Sequence, residues 1–212
     1  MINMDFSEFV LIHTSQQDWQ LSPMAGVSRK PLARAEAERG HATSLVQYEA
    51  GSMFRPHPHP LGEEILVLNG VFSDEHGDYP AGSYFRNPPG SSHAPYSEEG
   101  CLLLVKLHQF QETDLNSCRV STLDFWYDGE AACEKLYDYG QESVWLVRMT
   151  PEVNTLLSLD VSSSVEIFVI SGEAVYGNFE LQAGSWMREP SFRCEDWRVK
   201  SSTLLWIKTG HF

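Results

Sequence analysis

No apolar run in the sequence approaches the roughly 20 residues that a bilayer crossing needs. The longest, residues 101–105 and 165–170, have the length of buried strands. The first residues carry Asp5 and Glu8 and no early Lys or Arg, so no signal-peptide pattern opens the chain, and a cytoplasmic location is expected. Cys101, Cys118, Cys133 and Cys194 show no CxxC spacing; reduced, mostly buried thiols are expected. Basic residues are scarce. With 15 Lys and Arg against 29 Asp and Glu, the net charge is −14, and such a surface repels nucleic acid. Histidine is absent between His108 and His211, which confines any histidine-based chemistry to the first half.

What the chain does contain is a repeat. A shift of 102 positions sets Glu64-Ile-Leu-Val-Leu-Asn-Gly70 on Glu166-Ile-Phe-Val-Ile-Ser-Gly172, and Ala81-Gly-Ser-Tyr84 on Ala183-Gly-Ser-Trp186. It also sets Leu103-Leu-Val-Lys106 on Leu205-Trp-Ile-Lys208, so an internal duplication is indicated. Within each copy, short apolar runs alternate with Gly, Pro, Asp and Asn, and Asp74-Glu-His-Gly-Asp78 has the composition of a hairpin turn. Only residues 31–39 have helical composition, and they are read as a charged connection. The pattern predicts an all-β protein of two tandem small barrels, residues 1–110 and 111–212, divided at the polar stretch 109–117.

The informative segment runs Gly51-Ser-Met-Phe-Arg-Pro-His57-Pro-His59-Pro-Leu-Gly-Glu63-Glu-Ile-Leu-Val-Leu-Asn-Gly70. On an extended chain, residues two apart point to one face, so His57, His59 and Glu63 can converge. The alternating prolines cannot donate to a ladder and suit a barrel mouth. Glu64 has the wrong parity and is expected to face outward; it is Glu64, not Glu63, that the repeat matches with a carboxylate, Glu166. The second segment, Gly82-Ser-Tyr-Phe-Arg-Asn-Pro88-Pro-Gly90-Ser-Ser-His93, can deliver His93 to the same cavity through a tight turn. Imidazoles with one carboxylate suit a divalent ion such as Zn, Fe, Mn, Ni or Cu. Tyr48, Tyr84, Tyr96, Arg55 and Arg86 are candidates to line the cavity. His13, His41, His76 and His108 have no partner spacing and read as ordinary polar residues, while His211 reads as packing.

The spacings G-x5-H-x-H-x3-E-x6-G and G-x5-P-x-G-x2-H resemble the two motifs of the cupin superfamily, with Ser97 where the second usually ends in Asn. Gly26-Val-Ser-Arg-Lys-Pro-Leu32, Val71-Phe-Ser-Asp-Glu-His-Gly-Asp78 and Arg86-Asn-Pro-Pro-Gly90 look like the cupin domain of ChrR-type anti-sigma factors, over roughly residues 19–108. That resemblance implies a double-stranded β-helix, or jelly roll, and one bound divalent metal, zinc first, with iron, manganese or nickel as alternatives. It also implies a sensor role in stress-linked transcription, with a sigma factor or other regulatory protein as partner. The His-x3-Cys-x2-Cys signature of that family's sigma-binding helical domain does not occur here, so a bicupin without that domain is expected.

In the second copy Leu159, Val161, Val165 and Glu195 stand where His57, His59, Glu63 and His93 stand in the first, so a barrel without metal ligands is expected. The two functional readings are a regulatory cupin and an Fe(II) dioxygenase of a small diketone-like or hydroxy-ketone substrate, and the ChrR likeness favours the regulatory one. A small-molecule ligand, no nucleic acid, no membrane, and a monomer or homodimer complete the expectation.

Overall fold

The computed structural model describes residues 1–36, 40–127, 129–153, 156 and 164–212. The chain is all-β and forms two compact units, which are not continuous in sequence. The first comprises Met1–Met4 and Asp18–Leu123, and the second Asp5–Gln17 and Asp124–Phe212. Among the described residues the one α-helix is the five-residue Leu123–Tyr127, and no helix is long and apolar enough to cross a membrane.

In the first unit an antiparallel sheet runs in the order Cys118–Ser121, Ser83–Asn87, Glu63–Asp74, Cys101–Leu107, Ala42–Tyr48, Val27–Arg34, Gln20–Leu21. The twelve-residue strand Glu63–Asp74 leaves this sheet at Gly70. The backbone there takes φ +72°, and a Cβ would lie 2.1 Å from the Gly100 carbonyl, so only glycine fits. Its second half pairs with Gly77–Pro80 in the expected hairpin. Short strands complete the other wall. His57–Pro58 pairs with Ser92–His93, and Ser52–Met53 with Tyr96–Ser97. Ile65, Val67, Phe72, Phe85 and Leu103 pack between the walls.

Three local expectations are corrected. The segment expected as a charged connection begins as strand: Val27–Arg34 pairs along Ala42–Tyr48, and residues 37–39 lie outside the described ones. Glu64 does not face solvent. It is 3% exposed and accepts a 2.9 Å bond from Arg86, whose other nitrogen donates to Asp114 at 2.9 Å. Strand alternation decides which face a residue joins, but here both faces are covered, so the second face carries paired charges instead of solvated ones. Residues 109–117 are part of this arrangement, since Asp114 is fully buried and Phe110 lies under the Arg86 guanidinium. Of the cysteines only Cys101 is buried, and burial pushes its thiol up to about 11; Cys133 is exposed.

The second unit has a sheet ordered Val10–His13, Ser185–Glu189, Val165–Ser171, Thr203–Thr209, Glu142–Met149, Ala132–Tyr139, and a smaller one of Phe179–Gln182, Glu173–Tyr176 and Trp197–Val199. The register row Arg188–Glu166–Lys208 reproduces Arg86–Glu64–Lys106 of the first unit at the 102-residue shift. Its interior is apolar. Val165 is fully buried among Ile167, Val169, Met187 and Leu205, while Glu195 is exposed and bonded to Arg193. Leu159 and Val161 lie outside the described residues. His211 is not simply packed: its Nε2 lies 2.9 Å from Glu166, which also accepts from the Trp186 indole.

Candidate metal centre

His57, His59, Glu63 and His93 meet at one end of the first barrel, each offering a ligand atom within 4.8 Å of the others. Pairing explains the convergence. His57 stands directly across from His93 in the two-stranded ladder, and Glu63, the first residue of its strand, stands across from Asn87. Gly62 bends the chain at φ +83°, placing Glu63 below the histidines. The three imidazole rings lie edge to face, with centroids 4.6 to 5.1 Å apart.

The hydrogen bonds fix every tautomer. His57 Nδ1 donates to the Arg55 carbonyl at 3.1 Å, and His93 Nδ1 to Asp74 Oδ2 at 3.2 Å. Ser91 gives its own proton to the Pro88 carbonyl, so its oxygen accepts from His59 Nδ1 at 3.0 Å. In the neutral rings all three Nε2 atoms therefore carry lone pairs. Asn87 donates to Glu63 Oε2 at 3.1 Å, which orients the carboxylate. Glu63 Oε2 lies 3.3 Å from His59 Nε2 and 3.4 Å from His93 Nε2. Among the described residues no donor reaches the buried His59 Nε2. Acceptors aimed at one another, each held by a polar partner behind it, form an arrangement that a cation satisfies.

Burial sets the protonation in the same direction. It pushes the His59 imidazole down to about 4, aided by nearby His57 and His108. His93 is also lowered by burial, against an opposing pull from Glu63. Both rings are thus neutral, as ligation requires. Below the ordinary value of 6.5 the unfolded chain takes a proton on His59 before the folded chain does. The metal-free fold is expected to lose stability as pH falls from about 6.5 toward 4, and urea melts of chelator-treated protein at pH 7 and pH 4.5 measure it.

Asp74 is a residue the motif spacing could not reveal, because it reaches His93 only through the hairpin. Asp74→Asn is expected to weaken metal binding about 10- to 100-fold while the fold is kept, measured by competition with a colorimetric chelator.

The four residues open into a cavity of about 420 Å³. Of the expected lining residues only Tyr48 contributes to its wall. Tyr84 and Arg86 are buried on the opposite face of the sheet, and Arg55 is exposed. Burial and the nearby Glu63 raise the Tyr48 phenol well above its usual range. His108, read from sequence as ordinary, lines the same cavity with φ +58°. Its Nδ1 accepts from the Gly40 amide at 3.1 Å, so its Nε2 carries the proton in the neutral ring. Only its position at the end of Cys101–Leu107, one residue past the partner of Glu63, could have flagged it. His76 is half exposed in its hairpin, as expected.

An antiparallel β barrel with His, His, Glu and His gathered at one end defines a cupin. The barrel belongs to the cupin superfamily, and residues 7–111 match the family model described as the ChrR cupin-like domain. No curated protein matches the chain. Among solved structures, YlbA from Escherichia coli is similar at TM-score 0.70 and 11% identity, covering 100% of this chain and 94% of that one. Bacterial pirin YhhW from E. coli, solved with nickel(II), is similar at TM-score 0.70 and 11% identity, covering 95% of this chain and 98% of that one. A candidate dioxygenase from Nostoc punctiforme is similar at TM-score 0.68 and 15% identity, covering 95% and 82%. These identities speak to fold alone.

Proposed function

We propose that His57, His59, Glu63 and His93 hold one divalent metal ion and that the first barrel is a metal-dependent enzyme of dioxygenase type. Its substrate on this reading is a small oxygen-bearing molecule, diketone-like or a hydroxy-ketone. The observation that carries this reading is the cavity of about 420 Å³ into which the four residues open, a volume suited to a small organic ligand. A bound metal would supply Lewis-acid polarisation of a substrate oxygen. The protein's own part is to orient and shield. Asp74, Ser91 and Asn87 fix the ligating groups, Ile65, Leu103 and Val105 exclude water, and the His108 Nε2–H offers a donor to a substrate oxygen. The second barrel, with Val165 where the first has Glu63, is a degenerate structural copy in this reading.

A second reading is supported by the match to the ChrR cupin-like domain: a zinc-bound regulatory cupin that senses a small molecule and signals to a sigma factor or other regulatory protein. Elemental analysis of chain purified without chelator separates the two, combined with an oxygen-electrode screen of diketones. Iron with substrate-dependent oxygen uptake, abolished in His57→Ala, is the expected result. Stoichiometric zinc without uptake after iron reconstitution would overturn the enzymatic reading and leave the regulatory one.

A further inference from the structure

Strand Ala42–Tyr48 supplies one wall of the cavity. Its residues Ala42, Ser44, Val46 and Tyr48 all face inward, as the two-residue period of a strand requires. Two of them carry hydroxyls. Ser44 and Tyr48 are each 6% exposed, and among the described residues neither hydroxyl has a hydrogen-bond partner. Thr43, on the other face of the same strand, shows the contrast. Its hydroxyl accepts from Lys106 Nζ at 3.0 Å and from Gln109 at 3.2 Å. A buried hydroxyl without a partner is destabilising, so two of them on one cavity wall call for an occupant that bonds them.

Register and ring contacts place the two hydroxyls. Ser44 pairs with Val105 and Val105 with Ile65, so Ser44 stands in the row two residues beyond Glu63. Tyr48 is four residues further along the strand. Its ring packs on Phe54 at 5.3 Å and meets Phe72 edge-on at 5.8 Å between centroids. Phe54 in turn meets His57 at 5.6 Å, and Phe72 meets His93 at 5.9 Å. Tyr48 is thus linked to two of the four ligands through one aromatic ring each. Burial and the nearby Glu63 keep the phenol protonated, so its hydroxyl is a donor. Leu103 and Val105 leave the wall around the two hydroxyls apolar.

We infer that Tyr48 sets ligand specificity: its hydroxyl donates to a carbonyl oxygen on a small, largely apolar ligand, at the end remote from the four ligands, with Ser44 as a second hydroxyl on the same wall. This deepens the proposed function and rests on it only for what happens at the metal end. A site built to hydrogen-bond an oxygen rejects the analogue that lacks it, because the buried polar group is then left unpaired. The apolar and aromatic wall accepts the body of the ligand.

The test uses acetophenone and α-methylstyrene, in which a methylene replaces the carbonyl oxygen, titrated by NMR into the full chain, both metal-loaded and chelator-treated. Tyr48→Phe keeps the ring contacts and removes only the hydroxyl. It should weaken acetophenone about five- to tenfold, the usual worth of one hydrogen bond, and leave α-methylstyrene within about twofold, in both preparations. The carbonyl stretch of bound acetophenone should lie at lower frequency in wild type than in Tyr48→Phe. Ser44→Ala should give a smaller loss of the same kind. Without ligand, both variants should melt no lower than wild type, since each removes a hydroxyl that the fold does not use. A clearly lower melting temperature for Tyr48→Phe would assign its hydroxyl a structural partner and overturn the inference. Equal effects on the two probes, or no acetophenone binding by wild type, would also overturn it. So would a loss seen only in the metal-loaded chain, since the carbonyl would then sit at the metal end. A chain that binds no metal but shows the Tyr48-dependent preference would sink the proposed function and leave this inference standing.

Discussion

His59→Ala is expected to lower metal affinity by about two to three orders of magnitude. A structural zinc site in a small domain is worth roughly 10–16 kcal/mol over four ligands, so one ligand carries about 2.5–4 kcal/mol. His59 is the ligand of choice for this test because it is 4% exposed and its Nε2 has no protein donor among the described residues. Alanine there removes an acceptor without leaving a new orphan except Ser91, whose proton already goes to Pro88. A metal held by the four residues favours the folded chain, so on the proposed reading wild type should melt higher with metal than after chelation, and His59→Ala should lose most of that increment. Calorimetric titration and paired thermal melts measure both. An unchanged affinity would mean that the cluster is not the binding site. In the wild type, where burial pushes the His59 imidazole down to about 4, the loss of bound metal on acidification reads the same ring.

The second large effect is expected on the opposite face of the same sheet. Arg86→Met should destabilise the first unit by about 3–5 kcal/mol, because Glu64 and Asp114 would remain buried without their shared guanidinium. Arg86 is fully buried, and the two carboxylates are 3% and 0% exposed, so water cannot repair the loss. The triple change Arg86→Met, Glu64→Leu, Asp114→Leu should recover much of the stability, since a well-packed apolar replacement of a buried ion group is often neutral or better. Urea unfolding followed by tryptophan fluorescence reads the difference. A loss under 1 kcal/mol in the single variant would show that the network contributes little.

The two faces show how far sequence reasoning reaches. Spacing alone brought His57, His59 and Glu63 to one face, because parity along an extended chain is a local property. The Gly and Pro pattern before His93 marked a turn, and in the structure His93 does stand in register with His57. The same parity argument failed for Glu64, since alternation says which face a residue joins and nothing about whether that face meets water. Glu64 is closed off by Arg86, Asp114 and Phe110, the last two from a segment that composition alone marks as a polar divider. Arg29 had a similar fate. Nothing in the charge pattern around it marks it as a cavity residue, yet its strand turns it to the cavity wall.

By itself, then, the sequence determined the all-β class, the internal repeat and the four-residue constellation, because each is written in local spacing and glycine-proline punctuation. Tertiary structure alone decided what stands behind and around those residues. Asp74 orients His93 across a hairpin, His108 enters the cavity in a left-handed conformation, and Arg29 and Arg34 join its lining from a strand far from the histidines in sequence. These are contacts between strands far apart in the chain, and no local period encodes which partner a folded sheet will bring.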